Sequence, residues 1–494
     1  MPIAPIENPC EITQLPASAL SRAIHSKRFS CVEVMQAYLK RIAALNPAYN
    51  AIISLRSEAE LLVEAKQHDE LLAQGKSKGW LHGIPQAIKD LSATAGIPTV
   101  YGSPLMAGNV PTEDGLMVQR MKAAGAIIIG KTNVPEFGLG SHSFNTVFGS
   151  TKNAFDVTKS AGGSSGGAAA ALALHLLPVA DGSDFMGSLR NPAAWNNVFG
   201  MRPSQGRVPM WPAPEVWISP LGTEGPMGRN IEDVARLMHT QAGYDVRSPM
   251  SIKEPFDLDH ALTPMHDSEI KQTRILYLGD LNGYLPMEAG IDKICIDALQ
   301  AISQKGCKVA SLAEHAGCAL QANTNLKLGF NPAKIWDAWL AWRKALVGTR
   351  LAPFVAMADG RSQMKPEALG EYDDSLALTG AELTAASVMR SSFYQAMVEL
   401  LSAYDAIALP SAQVWPFDVT WRYPQQIKTQ NGIAKMDSYH RWMEATIYAT
   451  FAGLPCISVP VGFGEAGLPM GMQLMGKPQG DADLLRLAAL FEFA

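Results

Sequence analysis

The sequence predicts an α/β fold in which a large mixed β-sheet is covered by helices on both faces. Short apolar segments alternate with longer segments of helical periodicity, which is the pattern of strands separated by helices. The chain has 494 residues, 47% of them hydrophobic, so it can bury a large core. Neither a linker of distinct composition nor an internal repeat divides it. We therefore predict a single domain over residues 1–494.

The N-terminal part of the chain, over residues 18–75, is predicted to be helical. Ser30 and Glu33 have the spacing of a capping box, and an amphipathic segment follows them. We expect Asn46 and Pro47 to end that helix, because the residue before a proline avoids helical geometry. A second amphipathic helix is predicted over residues 57–73.

The alternating elements of the predicted sheet follow in the rest of the chain. The candidate strands are 84–88, 126–130, 275–279, 308–312, 406–410 and 457–460. The candidate helices between them are 112–124, 166–176, 230–240 and 289–305. Parallel or mixed strands joined through helices need helices on both faces of the sheet.

Residues 320–400 are helix-rich and contain Trp336, Trp339 and Trp342. A helical excursion over the sheet would suit the wall of a substrate site. The alternative, which we favour for the three tryptophans, is that they pack in the core, because large aromatic side chains dominate protein cores.

Composition excludes several classes of function. The net charge of −5 is small for this length and no long basic run occurs, so neither a nucleic-acid interface nor a membrane-surface patch is supported. The longest apolar run, 168–180, is too short to span a bilayer and contains His175 and Pro178. The first residues lack the basic segment of a secretory signal. We expect a cytoplasmic protein whose six cysteines, without a CxxC motif, are free thiols.

Three residues carry the most informative pattern in the chain. Ser164 lies in GGSSGG and Ser188 in DGSDFMGSLR, 24 residues later; Lys89 lies 75 residues before Ser164, at the end of an apolar segment. A serine nucleophile needs a base for its proton and donors for the developing oxyanion. Because a buried lysine loses its preference for the charged form, Lys89 can be that base.

Ser164 also fits a different pattern. Gly162, Ser164 and Gly166 match the G-x-S-x-G of an α/β-hydrolase, which requires a strand directly before the serine. The preceding residues are a poor strand, so an esterase using Ser164 as its nucleophile is the weaker alternative. A phosphate-binding loop is disfavoured because the terminal Lys-Ser/Thr of that motif is missing.

The spacing of Lys89, Ser164 and Ser188 resembles that of the amidase signature family, whose catalytic triad is Ser–Ser–Lys. The resemblance extends to segments near 131–141, 191–209, 225–237 and 452–477 and so covers nearly the whole chain. It implies an amidase-signature-like fold and hydrolysis of a carboxylic amide C–N bond. It also implies that no metal or organic cofactor is needed.

The same resemblance implies the roles of the residues. Ser188 is the nucleophile, and Ser164 bridges it to the base Lys89. From the expected burial of Lys89, we add the hypothesis that this lysine is neutral in the resting enzyme. The oxyanion hole consists of the backbone N–H groups of Phe185, Met186, Gly187 and Ser188. We expect esters to be cleaved as well, because an alcohol leaves more easily than an amine.

The chain departs from the family signature at two of these positions: the usual GTDxGGS is GSDFMGS, with Ser183 and Met186 in place of threonine and glycine. If the position of Met186 needs a positive φ, methionine is strained there. We expect a narrowed acyl site rather than an inactive enzyme.

Two alternatives remain open within this interpretation. One is the glutaminase-type subunit of a tRNA-dependent amidotransferase, which works with partner chains. The other is a non-catalytic pseudoenzyme or binding protein, motivated by Met186. We expect the substrate to be a small-molecule amide with an apolar or aromatic acyl or amine group. We also expect that the chain can form a homodimer.

Three further polar residues receive predictions. Asp184 and Arg190 flank the nucleophile segment and are expected to form an ion pair that braces the loop. The ten histidines form no helical zinc-binding pattern. His440 is predicted to be an ordinary histidine with satisfied hydrogen bonds.

Overall fold

The computed structural model of the protein describes residues 8–218, 220–317 and 327–492. An eight-stranded sheet forms its centre, with a three-stranded sheet and two hairpin-like pairs beside it. The strands are β1 (Ile52–Ile53), β2 (Pro85–Lys89), β3 (Ile127–Thr132), β4 (Phe144–Asn145), β5 (Gly149–Ser150), β6 (Ala180–Asp184), β7 (Phe199–Arg202), β8 (Thr223–Gly228), β9 (Arg274–Tyr277), β10 (Lys308–Ser311), β11 (Ala406–Pro410), β12 (Gln426–Thr429), β13 (Gly432–Lys435), β14 (Cys456–Phe463) and β15 (Pro469–Gly476).

The α-helices occur mostly between the strands. They are α1 (Glu11–Gln14), α2 (Ala17–His25), α3 (Cys31–Tyr49), α4 (Glu58–Ala73), α5 (Leu116–Ala123), α6 (Gly166–Ala173), α7 (Arg190–Trp195), α8 (Ile231–Gln241), α9 (Leu258–Leu262), α10 (Asp267–Gln272), α11 (Ile291–Gln304), α12 (Leu312–Ala316), α13 (Pro332–Val355), α14 (Gly360–Gln363), α15 (Pro366–Ser375), α16 (Gly380–Ala403), α17 (Ile447–Ala452) and α18 (Asp481–Ala488).

The central sheet is mixed, as predicted, with the strand order β10-β9-β11-β15-β14-β7-β8-β6. Strands β9, β10 and β11 are parallel to one another, and the remaining neighbours pair antiparallel. Strand β6, which leads into the segment around Ser188, is at one edge of this sheet and pairs only with β8 among the described strands.

Helices cover both faces of the sheet. Every residue of β15 is buried, which requires cover on both sides because successive side chains of a strand point to opposite faces. Gly471 lies against Ala194 of α7, and Gly476 lies against Leu484 of α18. These two glycines are an odd number of residues apart, so α7 and α18 lie on opposite faces. The predicted fold class is confirmed.

The N-terminal helices pack around the smaller sheet, whose strand order is β1-β3-β2. The predicted capping box is present, since the Ser30 side chain accepts from Glu33 N–H and Glu33 accepts in return. The prediction that Asn46 and Pro47 end this helix is wrong: α3 includes Pro47 and continues to Tyr49. Asn50 ends the helix with a φ of 54°, and its N–H donates to the carbonyl of Asn46.

Two predicted strands belong to the smaller sheet rather than the central one. Strand β2 pairs parallel with β3, and β2 also packs beside β6 of the central sheet. Lys89 N–H donates to the carboxylate of Asp181 at 3.1 and 3.3 Å, which links β2 to β6. The two sheets are therefore joined at the position of Lys89.

The helix-rich segment is described from residue 327 onward and consists mainly of α13, α15 and α16, packed against one another. Trp336, Trp339 and Trp342 of α13 are buried in the core cluster around the central sheet, as favoured above. Further along the same helix, Arg343, Val347 and Arg350 line a cavity. The predicted region from 320 to 326 lies outside the described residues.

In the described part of the chain, no helix is both long and apolar enough to cross a membrane. The described cysteines are free, with Cys10 exposed and Cys31, Cys295, Cys307 and Cys456 buried. Cys318 lies outside the described residues.

Candidate active site

Three separate segments meet at the site. Lys89 is the last residue of β2, Ser164 lies in the loop before α6, and Ser188 lies in the turn between β6 and α7. A backbone hydrogen bond of 3.2 Å from Ser165 N–H to the Ser188 carbonyl joins the two serine segments. The structure thus brings together the three residues that the sequence predicted to act together.

Lys89 is fully buried, and its ammonium nitrogen is surrounded by oxygens. Nζ donates to Ser164 Oγ at 2.9 Å, to Ser165 Oγ at 2.7 Å and to the Ser183 carbonyl at 3.0 Å. Burial lowers the pKa of Lys89 to about 7, although the charges of Asp181 and Asp184 oppose this shift. A large share of this side chain is therefore neutral near physiological pH.

Ser165 is a member of this site that sequence reasoning missed. Besides accepting from Lys89, its hydroxyl donates to the Ser183 carbonyl at 3.4 Å and accepts from Ser183 N–H at 3.3 Å. The only signal in the sequence was that it directly follows Ser164. The contact depends on the packing of α6 against β6, which the sequence pattern does not reveal.

The peptide bond between Gly163 and Ser164 is cis. The residues before it form a loop with isolated bridges at Lys152 and Ser160, and no strand leads directly into Ser164. Ser164 Oγ accepts a hydrogen bond from Lys89, and no described strand leads directly into Ser164. The α/β-hydrolase interpretation of this serine is therefore not supported.

Ser188 is held in a tight turn directly after β6. Gly187 has a φ of 82°, and a Cβ atom on it would lie 2.6 Å from Thr446 Cγ2, so both conformation and space require glycine. The Asp184 carboxylate accepts from Gly187 N–H at 2.8 Å and from Leu189 N–H at 3.2 Å. The turn is thereby fastened on both sides of the serine.

These bonds correct one part of the predicted oxyanion hole. The N–H group of Gly187 is already donated to Asp184, so it is not free for a substrate oxygen. Among the described residues, the N–H groups of Phe185, Met186 and Ser188 donate to no acceptor. The reason is that the carboxylate of Asp184, at the end of β6, lies within hydrogen-bond distance of the Gly187 N–H and accepts from it.

Arg190 forms the predicted ion pair with Asp184 in a fully buried position. Nε donates to Oδ2 at 2.9 Å and Nη2 donates to Oδ1 at 3.0 Å. Burial alone would raise the pKa of Asp184, but the Arg190 guanidinium outweighs it and lowers that pKa to about 2. Arg190 also donates to Gln473 Oε1 at 2.6 Å and to Thr450 Oγ1 at 3.0 Å, which anchors the turn to the central sheet and α17.

Met186 occupies its position without backbone strain, because its φ is not positive. It is 4% exposed and lines the cavity next to Ser188. Its sulfur accepts from Arg343 Nη1 at 3.7 Å. The side chain therefore fills space beside the nucleophile position.

A layer of buried charges lies behind Lys89. The pKa of Asp181 is raised to about 6 and that of Glu224 to about 7, in each case mainly by burial. Lys131 donates to the Ser92 carbonyl at 2.6 Å, and burial lowers its pKa to about 8. Ser92 Oγ donates to Glu224 at 2.5 Å. Several groups near Lys89 consequently titrate in the neutral range.

A cavity of about 500 Å³ opens onto the serines. This size lies within the usual range for small-molecule sites. Its wall is built from segments far apart in the chain, including the turn after β6 and part of α13. Representative lining residues are Ser164, Ser188, Met186, Met210, Arg343 and Arg350.

His440 differs from its prediction as a satisfied histidine. It is 6% exposed, and neither ring nitrogen has a hydrogen-bond partner in the described structure. Its ring lies 5.5 Å from that of Trp336. Burial lowers the pKa of His440 to about 3, and the charge of Arg343 adds to this. The ring behaves as an aromatic packing element.

Within the described ranges, no group of three or more His, Cys, Asp and Glu side chains is arranged to hold a metal ion.

Comparison with known proteins decides the family. A profile of the family described as Amidase matches residues 33–485. The chain belongs to the amidase family. This confirms the resemblance found in the sequence and the predicted enzyme class, an amide-hydrolysing enzyme.

Individual relatives of this amidase-family chain cover it almost completely. It is 31% identical to one subunit of the glutamyl-tRNA(Gln) amidotransferase of Acidothermus cellulolyticus, over 97% of this chain and 94% of that one. It is 29% identical to an acylamidase of Rhodococcus erythropolis, over 97% and 95%. Its fold is similar to that of a bacterial aryl acylamidase of the amidase signature family, with a TM-score of 0.84, 26% identity and coverage of 97% and 96%.

Proposed function

We propose that this amidase-family enzyme hydrolyses small carboxylic amides through a serine acyl-enzyme, with Ser188 as nucleophile, Ser164 as bridging residue and Lys89 as base. The observation that carries the proposal is the 2.9 Å hydrogen bond between Lys89 Nζ and Ser164 Oγ, buried behind the cavity that Ser188 lines. A base must lie within hydrogen-bond reach of the group it serves.

The proposed reaction has two halves. Ser188 Oγ attacks the amide carbonyl while its proton passes through Ser164 to neutral Lys89. The tetrahedral oxyanion is held by the free N–H groups of Phe185, Met186 and Ser188, and collapse breaks the C–N bond as Lys89 returns the proton to the leaving nitrogen. Water then attacks the acyl-enzyme, releases the acid and restores Ser188.

The other groups of the site support this assignment. Asp184 holds the Ser188 turn through its backbone bonds, while Arg190 keeps Asp184 ionised. Because the catalytic residues come from β2, the loop before α6 and the turn after β6, and the cavity wall comes from α13, we also propose that the chain works as one catalytic domain.

Acyl-enzyme formation tests the proposal. The purified chain would be mixed with 4-nitrophenyl acetate, quenched, and analysed by intact-mass and peptide mass spectrometry. We expect acetylation at Ser188, no adduct in Ser188→Ala, and acylation slowed by about 10²–10⁴-fold in Ser164→Ala and Lys89→Met. Ser391→Ala, a change on the exposed side of α16, is the matched control. Labelling of Ser164 instead of Ser188 would overturn the assignment.

The substrate class is tested by turnover. A panel of aliphatic amides, aryl amides, anilides, amino-acid amides and glutamine is incubated with the single chain, and the products are measured by mass spectrometry with Ser188→Ala as control. Amine release from anilides or aryl amides, dependent on Ser188, would support the proposed amidase.

A second candidate is a glutaminase-type subunit, which the 31% identity to the glutamyl-tRNA(Gln) amidotransferase chain favours. It predicts ammonia release from glutamine in preference to every other member of the panel. Efficient turnover of an anilide by the isolated chain would exclude it, since a glutaminase is built for glutamine.

A further inference from the structure

The catalytic cavity has an imbalance of charge. Its ionisable lining residues, apart from Lys89 behind the serines, are Glu215, Arg343, Lys344 and Arg350. A cation that lines a substrate cavity and has no carboxylate partner in the protein can pair with a negatively charged group of the substrate.

Two of the four, Glu215 and Lys344, have further contacts besides the cavity. The Glu215 carboxylate accepts from its own loop, at 2.6 Å from Trp217 N–H and at 2.8 and 2.9 Å from Ile218 N–H. Lys344 also lines a neighbouring surface groove, together with Glu382. The Glu215 carboxylate is thus already hydrogen-bonded by the protein, and Lys344 is shared between the cavity and the groove.

Arg343 is neutralised by the protein. Its Nε donates to Glu371 Oε1 at 2.6 Å, and Nη2 donates to the Tyr439 hydroxyl at 2.6 Å. Tyr439 in turn donates to Glu371 Oε1 at 2.7 Å. In this closed network the charge of Arg343 is paired with Glu371, and its side chain is held in place next to Met186.

Arg350 is different. It lies two helical turns after Arg343 on the same side of α13, and its surface is exposed to the cavity. Its Nη2 donates to the carbonyl of Phe137, and no carboxylate of the described residues forms an ion pair with it. Burial lowers the pKa of Arg350, and the like charge of Arg343 adds to this, yet an arginine remains charged at neutral pH. The guanidinium thus has donors to spare at the cavity surface.

The position of Arg350 relative to the serines indicates which part of a substrate it would meet. Its partner Phe137 precedes Gly138, where a Cβ atom would lie 3.6 Å from Ser164 Oγ. In the proposed mechanism, Lys89 returns the proton to the leaving nitrogen through Ser164, so this nitrogen lies against Ser164. Arg350 is therefore on the amine side of the scissile bond, whereas Met186 is next to the nucleophile.

We propose that the preferred substrates carry a carboxylate on the amine portion of the amide, as N-acyl amino acids and N-acyl aminobenzoates do, and that Arg350 binds this carboxylate. The inference rests on the function proposed above. Arginine is suited to it because its planar guanidinium binds carboxylates through paired hydrogen bonds. The reaction adds one water across the C–N bond and yields a carboxylic acid and an amine that retains its own carboxylate.

Matched pairs of substrates test the inference. The first pair is 4-acetamidobenzoate and its neutral isostere 4-acetamidobenzamide; the second pair, succinanilate and butyranilide, places the carboxylate on the acyl side instead. We expect the wild-type kcat/KM to be about 10- to 100-fold higher for 4-acetamidobenzoate than for 4-acetamidobenzamide. No such preference is expected in the second pair.

Variants test whether Arg350 causes the preference for 4-acetamidobenzoate. Arg350→Gln should abolish the preference within the first pair while hydrolysis of 4-acetamidobenzamide continues, and Arg350→Lys should retain part of it. Arg361→Gln is the matched control, because Arg361 is exposed, pairs with Asp373 and does not line the cavity. Its preference should equal that of the wild type.

Several outcomes would overturn the inference. Equal kcat/KM values within the first pair of the wild type would do so, as would a preference for succinanilate or an equal loss for both members of the first pair in Arg350→Gln. If neutral anilides are hydrolysed through Ser188 without any charge preference, the proposed function stands and the inference fails. If no amide is hydrolysed and Ser188 is not acylated, both fail.

Discussion

The lowered pKa of Lys89 makes a quantitative prediction for the pH dependence of the enzyme. Burial shifts the pKa of this side chain from 10.5 to about 7. At pH 7, about half of such a lysine is neutral, compared with about one molecule in 3,000 for an ordinary lysine. Because the proposed base works only when it is neutral, activity should fall as the pH falls through the pKa.

The magnitude follows directly. We expect kcat/KM to rise about tenfold between pH 5 and pH 6, to half its maximum near pH 7, and to become constant above about pH 8. Asp181 and Glu224, with pKa values of about 6 and 7, titrate in the same range. The measured value therefore belongs to the cluster as a whole rather than to Lys89 alone.

The assay is the kcat/KM for acetanilide between pH 5 and pH 10 at constant ionic strength, because kcat/KM reports ionisations of the free enzyme when the substrate itself does not titrate. Lys365→Met is the matched control: Lys365 is a half-buried lysine with a pKa lowered to about 8, and it donates to the Leu139 carbonyl rather than to a serine. In the Lys365→Met variant, kcat/KM should still fall below about pH 7 as it does in the wild type. A wild-type rate that climbs tenfold per pH unit up to pH 10, or one that is constant from pH 5 to 9, would refute the reasoning.

Three further predictions concern the surroundings of the site. Arg190→Met should lower the free energy of unfolding by about 3–5 kcal/mol in urea titrations, because it leaves the carboxylate of Asp184 buried without a partner; a loss below 1 kcal/mol would contradict this. Met186→Gly should raise the ratio of kcat/KM for benzanilide over acetanilide roughly tenfold, since it opens space beside Ser188, and an unchanged ratio would show that Met186 does not limit the acyl group. His440→Phe should be close to neutral for stability at pH 7.5 and stabilising by about 2 kcal/mol at pH 5, because the unfolded chain protonates this histidine below about 6.5 while the folded protein holds it neutral down to a pKa of about 3. Equal differences in unfolding free energy at the two pH values would contradict the last prediction.

The fold class could be predicted from the sequence because the apolar strands of the parallel part are easily recognised. Strand β11 was predicted with its observed bounds, and β9 and β10 within a few residues. Four strands of the central sheet were missed, including β6, which leads to Ser188: β6, β7, β8 and β15 all contain glycine and lack a continuous apolar run. Glycine is used there because neighbouring backbone approaches closely, as at Gly200, where a Cβ atom would lie 2.2 Å from the Leu189 carbonyl.

The residues of the candidate site also fall into a group that the sequence predicts and a group that it does not. Lys89, Ser164 and Ser188 lie in short segments with recognisable local sequence, and the structure brings these segments together. Arg343 and Arg350 give no such signal, because α13 reads as a tryptophan-rich core helix and only its packing shows that its later turns line the cavity. A contact between segments far apart in the chain has no local pattern from which it can be inferred.

The three oxygens around Lys89 Nζ have a consequence for the speed of proton movement. A protonated lysine has three N–H donors, which match the two serine hydroxyls and the Ser183 carbonyl. When the nitrogen is neutral, one serine hydroxyl turns about its Cβ–Oγ bond and donates to it instead. When Lys89 gains or loses its proton through Ser164, the hydrogen bonds around Nζ can be restored by rotating a hydroxyl hydrogen, without movement of the heavy atoms. Little reorganisation energy is required at each proton transfer, so the rigidity of this buried shell is itself an aid to turnover.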